Sequence, residues 1–407
     1  MQQTRSGNWI FAIPSFWGLG TWTLALSAFL FGGMGWFPPD GLSLGILLLM
    51  PLFFIASLMF YGPVFKSLFD HHYRTLFPSI RLRWEMAFHL VGIVAAVMVV
   101  RSINASGLIE ADYFTTFLEN PMAIRRATTI EVPDGNYLGY AGWLGAFISG
   151  VQAGRKKKGR WIHFALLAIQ VAANMVFVSK IRPISVILLF AFPYLIANYR
   201  RYGLSRILTL GTALLALIVG FFLVWSDSTG KVYGLGLGYP PAVETFLLYL
   251  SSGPAYFSQI VAVEVPDMDL SRTLRPFYTL SAILFGTEPP PSPIIPFYSI
   301  PFTTNVGTAL EPWYRDVGLV GVVAGMFTLS FVVDLVAYWG LLFRRTTGFL
   351  ITVMMCLCSA LAFFAPRLTT GAVIGALMLF ALHALIVAMA TLMRPRRSRE
   401  DVEPAAL

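Results

Sequence analysis

Residues 42–61 read LSLGILLLMPLFFIASLMFY, twenty positions without a single charge. About 20 apolar residues wound as a helix cross a hydrocarbon core, and a helix satisfies its own backbone polar groups there. This segment therefore predicts a membrane helix, and its repetition decides the fold class. Comparable runs occur at Phe11–Met34, Trp84–Val100, Tyr137–Val151, Trp161–Ser179, Pro183–Ala197, Ile207–Trp225, Val317–Phe343, Phe349–Phe364 and Gly371–Met393. The expectation is an all-α polytopic membrane protein of about 10 transmembrane helices. Composition agrees: 57% apolar and 12% charged residues with a mean hydropathy of +0.71 leave too little polar surface to cover a soluble body of 407 residues.

The distribution of Lys and Arg predicts the orientation. With the N-terminus inside, the inner connections hold about 19 of the 29 basic residues, including Arg81, Arg83, Arg155 to Arg160 and Arg394 to Arg399, against about 5 acidic ones. Both termini are thus expected in the cytoplasm, with residues 394–407 as a short charged tail. The same asymmetry accounts for the pI of 9.6 without a nucleic-acid partner, and Lys156-Lys157-Lys158 reads as a topogenic patch. Cys356 and Cys358 point to different helix faces and predict neither a disulfide nor a metal site. Phe11–Met34 is longer than the apolar core of a cleavable signal.

Two outer connections remain. Residues 101–136 predict a surface helix and a turn at Pro133-Asp134-Gly135. Residues 226–316 are the one long segment outside the spans, and long loops in compact proteins serve as lids or binding surfaces. Within it, Val243–Val263 has apolar residues at helical spacing, expected either in the membrane interface or as a segment broken at Ser251-Ser252-Gly253-Pro254. The proline run around Glu288–Pro293 predicts extended chain.

Histidine is missing from the outer face: His71, His72 and His163 fall near inner segments, and His89 and His383 lie in spans toward the inner side. Any base there is expected to be a carboxylate. Cations stand instead at the outer helix ends: Arg101, Lys180, Arg182, Arg315 and Arg367. A guanidinium at the hydrocarbon boundary calls for an anion, and its planar fork matches phosphate oxygens, so a lipid diphosphate is one natural guest and a neighbouring carboxylate the other. Glu311 and Asp316 are the acids nearest such a site, and Thr304 and Asn305 offer neutral hydrogen bonds suited to sugar hydroxyls. Trp313 and Tyr314 provide flat faces for pyranose rings or simply belong to an interfacial aromatic belt. Asp334, deep in a span, reads as a buried hydrogen-bonding group beside Tyr338.

Asn305-Val306, Thr308, Pro312-Trp313-Tyr314, Asp316 and Gly318, entering a helix, resemble a motif of the bacterial O-antigen or oligosaccharide repeat-unit polymerases, the Wzy-like family. Ser179–Pro183 and Tyr249–Phe257 are similar to segments in the same order in that family. The resemblance implies a GT-C-like fold with its large loop in the periplasm, embedded among the lipids of the bacterial inner membrane. It implies a metal-independent glycosyltransferase, without cofactor, that joins undecaprenyl-diphosphate-linked repeat units, with a chain-length regulator as a further partner. On that reading Arg182, Arg315, Glu311 and Asp316 carry the chemistry, while Lys180, Arg275, Thr304, Asn305, Thr308, Trp313, Tyr314 and Tyr256 bind substrate. An O-antigen ligase is the nearest alternative, disfavoured by the absence of a histidine in the large loop. A lipid-linked oligosaccharide flippase or exporter is the alternative from another class.

Overall fold

The computed structural model describes residues 8–76, 82–130, 136–155, 159–177, 179, 181–197, 204–228, 235–291, 298–299, 301–304, 306–343 and 346–364. The expected span Gly371–Met393, the tail 394–407, Lys156–Lys158 and the turn at 133–135 lie outside the described residues. Within them the protein is almost wholly helical, with one two-residue antiparallel pair, β1 (Tyr298–Ser299) and β2 (Thr303–Thr304).

Helices α1 (Pro14–Phe31), α2 (Gly41–Leu76) and α3 (Leu82–Ala105) lead to the short α4 (Tyr113–Glu119) and α5 (Pro121–Ile130). Then follow α6 (Tyr140–Arg155), α7 (Arg160–Met175), α8 (Ile181–Ala197), α9 (Leu204–Ser228), α10 (Pro241–Val263) and α11 (Arg275–Phe285). The last described elements are α12 (Glu311–Phe327), a π-helical turn Thr328–Val332, α13 (Val333–Leu342) and α14 (Thr346–Ala360). Four stretches are long and apolar enough to cross a membrane: Gly41–His71, Trp84–Ala105, Pro241–Val263 and Glu311–Leu342. The protein is an α-helical membrane protein by this measure.

Small residues let the helices approach closely, as expected where lipid rather than water is the competitor. A methyl group at Gly150 of α6 would lie 2.2 Å from the Phe190 carbonyl of α8, and one at Gly348 of α14 would lie 2.0 Å from the Gly340 carbonyl of α13. Proline within a span frees a carbonyl one turn earlier. At Pro51 that carbonyl belongs to Leu47, and the indole of Trp22 donates to it at 3.2 Å. Asp334 is fully buried, but its partners differ from the expected Tyr338: it accepts from the Ser15 amide at 2.9 Å and the Ser57 hydroxyl at 2.6 Å. It thereby caps the first turn of α1 from another helix.

Helix α10 corrects one alternative from the sequence. It runs unbroken through Ser251-Ser252-Gly253-Pro254, and those small residues form a packing face: a methyl at Gly253 would meet the Phe363 carbonyl at 2.1 Å. Its other neighbours are Ala25 and Ala28 near the end of α1, Trp36 in the following linker, and Ser43 in the first turn of α2. These all belong to one end of the bundle, so α10 lies across that end.

Candidate functional site

The same end gathers the chemistry in two clusters. The first is built where α12 begins. The Arg315 guanidinium donates to the Tyr256 hydroxyl at 3.2 Å, its Nη2 lies 2.9 Å from Glu264 Oε1, and its Nε lies 2.8 Å from Glu311 Oε1 without aiming its N–H at that oxygen. One turn of helix separates Glu311 from Arg315, which places both on one face. Asp316 is fully buried and accepts from the Thr273 amide at 2.7 Å and the Arg272 amide at 3.4 Å. Arg272 also bonds Asp267 and reaches Asp316 at 3.5 Å. Hydrogen bonds from the Ser271 amide and hydroxyl hold the neighbouring Asp269 below the ordinary carboxylate range.

A backbone feature sets this geometry. Gly318 has φ 66° and ψ −145°, which splits α12 into a short first segment and a longer apolar one. A methyl at Gly318 would sit 3.0 Å from Pro266, and the Asp267 amide donates to the Arg315 carbonyl at 2.7 Å. The kink therefore seats residues 264–273 against Arg315 and Asp316.

The second cluster surrounds Arg182 in the first turn of α8. Its guanidinium stacks 3.7 Å from the Phe177 ring centroid, faces the Tyr140 ring at 5.4 Å and donates through Nη2 to Asn136. Its Nη1 is buried with no hydrogen-bond partner among the described residues. Arg125, from α5, lies within electrostatic reach of Arg182 and of Tyr249 of α10. Beside this pair opens a cavity of about 220 Å³ whose walls are apolar; Ile181, Ile218, Phe222, Tyr249 and Phe364 line it.

Several expectations change. Arg182 and Arg315 are held by different residues, and Arg315 is already paired with two carboxylates. Asp316 is enclosed and holds a loop, so it does not present a base to a substrate. Tyr314 is buried, with its hydroxyl donating to the Val261 and Glu264 carbonyls at 3.1 and 3.2 Å, and offers no free face to a sugar. The half-buried Trp313 ring lies over Gly325, where a methyl would meet it at 2.8 Å. Thr308 is buried and accepts the Leu310 amide, and Thr304 accepts the Val306 amide; both shape the chain before α12. Arg275 donates to the Pro291 carbonyl. Lys180, Asn305 and Arg367 lie outside the described residues. Glu264, Asp267 and Arg125 join the site without having been singled out for it. The acidic run Glu264–Asp269 and the pair Arg125-Arg126 were its only sequence signals.

No family model, curated protein or solved structure matches this chain.

Proposed function

We propose that the protein polymerises undecaprenyl-diphosphate-linked oligosaccharide repeat units at the outer face of the bacterial inner membrane, within a GT-C-like fold of about ten spans. The observation that carries this reading is the Arg182 cluster. Two guanidiniums within electrostatic reach of each other, one with a buried nitrogen unpartnered among the described residues, sit beside an almost wholly apolar crevice. That combination suits a molecule with an anionic head and a long hydrocarbon tail.

On this reading Arg182 and Arg125 hold the diphosphate, and Ile181, Phe222 and Phe364 receive the start of the polyprenyl chain. An acceptor hydroxyl oxygen bonds to the anomeric carbon as the bond from that carbon to the diphosphate oxygen breaks. The leaving diphosphate takes the electron pair, and the fixed cations stabilise the developing charge. The proton passes to a carboxylate of the Arg315 cluster. Glu264 suits this role better than Glu311 or Asp316, because its side chain is 21% exposed while theirs are 6% and 0%. Arg315 keeps Glu264 and Glu311 in place, and positioning of two lipid-borne substrates supplies much of the rate.

Lipid binding tests the reading. Protein in nanodiscs is expected to retain undecaprenyl diphosphate in preference to undecaprenol, and Arg182→Ala to weaken retention roughly 10–100-fold, the loss of one or two charge-assisted hydrogen bonds. Equal retention of both lipids by the wild type would remove the diphosphate from the assignment.

A further inference from the structure

Another polar assembly lies inside the packing of α3, α6 and α7. Glu85, His89, Ser149, His163 and Gln170 are all buried, none more than 2% exposed. The Ser149 hydroxyl donates to Glu85 Oε1 at 2.6 Å, and His163 Nδ1 contacts the same oxygen at 2.5 Å. His89 Nε2 is 2.8 Å from the Ser149 oxygen, and its Nδ1 is 3.3 Å from Gln170 Oε1. Glu85 Oε2 and Gln170 Nε2 are buried without partners among the described residues. Beyond Gln170, Asn174 donates to the Gln170 carbonyl at 2.9 Å and accepts from the Trp143 indole at 3.3 Å.

Ser149 owns one hydrogen and spends it on Glu85, so His89 Nε2 must donate to the Ser149 oxygen. The other ring nitrogen then faces the Gln170 amide, with the Gly145 carbonyl a further acceptor beside the ring. With the amide oxygen toward it, Nδ1 must also carry a hydrogen, and His89 is an imidazolium. With the amide nitrogen toward it, Nδ1 accepts and His89 is neutral. The amide changes between these by a half turn about its last bond, leaving the carbon skeleton in place. Gly92, Gly142 and Gly145 clear the space: methyls there would lie 2.6 and 1.7 Å from Gln170 Nε2 and 3.0 Å from His89 Nδ1.

Charge supports two states as well. A bare Glu85 carboxylate with two neutral histidines carries a net negative charge in a low-dielectric setting, whereas one added proton makes the group neutral. The ionisable groups nearest His89 are Glu85 and His163. Helix α6 brings otherwise only Tyr140 and Arg155, at its two ends; α7 brings Arg160 in its first turn; α8, against α6 and α7, brings Arg182 and Tyr194; and α3 itself adds Arg83 and Arg101. Helices α4 and α5, with Tyr113, Glu119, Arg125 and Arg126, meet α3 near Val99 and Ile103, well beyond His89.

We propose that Glu85, His89, Ser149, His163 and Gln170 form an intramembrane site for one exchangeable proton, with the Gln170 amide turning according to its occupancy. Binding forms one N–H bond on an imidazole ring and takes the proton from water near the first turns of α3 and α7, where Glu85 and His163 stand. Release returns it there.

Ring nitrogen resonances of the full-length protein, labelled with nitrogen-15 in histidine and held in nanodiscs, test this between pH 5 and 9. His89→Gln and His163→Gln identify the two rings. One of them is expected to pass from a single N–H to two as pH falls, and Glu85→Gln to move that change to lower pH by about one unit or more, since it removes the carboxylate that holds the proton. Should His89→Gln fail to fold, Ser149→Ala keeps both rings and is expected to shift the His89 signals selectively. A single unchanging protonation state of both rings across the range overturns the proposal, as does a titration that Glu85→Gln leaves in place.

Discussion

Arg182 and Arg315 both start as basic residues at helix ends, yet their surroundings make them different groups. Arg182 rests on an aromatic face with one nitrogen unpaired among the described residues, so Arg182→Lys keeps the charge but loses the stacking and the planar fork. It is expected to fall between wild type and Arg182→Ala in polymerising activity, measured as turnover of lipid-linked units. Equal rates for Lys and Arg would mean that a point charge suffices. Arg315 sits between Glu311 and Glu264 with its side chain 10% exposed, and its removal strands two carboxylates. Arg315→Ala should therefore destabilise the fold by roughly 3–5 kcal/mol, the cost of breaking a buried ion pair. Thermal unfolding in detergent reads this out, and Glu311→Gln in the same chain should recover part of the loss. No recovery would show that the two charges are not coupled. The basic ends were legible in sequence because charge at a span boundary stands out. Which of them was already paired was not, because Glu264 lies some fifty residues from Arg315 along the chain and meets it only through the fold.

Elements were legible where apolarity alone decides them. The runs around α2, α3, α8 and α9 gave helices that overlap the expected spans and extend past them, since helix length is not limited by membrane thickness. Two features needed tertiary information. Ser251–Pro254 left a continuous helix and a broken segment both open, and it is a face of α10, where small side chains admit the turn after α14. Gly318 read as a helix entry but is a kink, and its positive φ explains why glycine stands there. Gly318→Ala is expected to cost roughly 1–2 kcal/mol for the backbone conformation, with a further loss from the Pro266 contact. The unfolding midpoint should drop and activity with it, because the kink positions residues 264–273. A variant as stable as wild type would show that the helix straightens without penalty.

On the scale of the molecule, the starts of α2, α8 and α12 and the ends of α1, α9 and α14 share one end, with α10 across it, so both clusters open on the same side. The orientation proposed from the basic connections makes that side the outer one. Cys356 and Cys358 are buried, so single introduced cysteines can report it with little background. Tyr239→Cys and Met268→Cys flank α10 at positions 50% and 74% exposed, and both are expected to react with a membrane-impermeant thiol reagent added outside. The exposed His71→Cys in α2 should react only after the membrane is opened. Opposite labelling of positions 239 and 268 would mean that α10 crosses the membrane. The central claim is the reaction itself, and one measurement bears on it most directly: purified protein incubated with undecaprenyl-diphosphate-linked repeat units, its products resolved by size. A ladder of glycans spaced by one repeat unit, lost in Arg182→Ala protein that still folds, is the predicted result. Units that stay monomeric with wild-type protein, or that cross a vesicle membrane without joining, would contradict it.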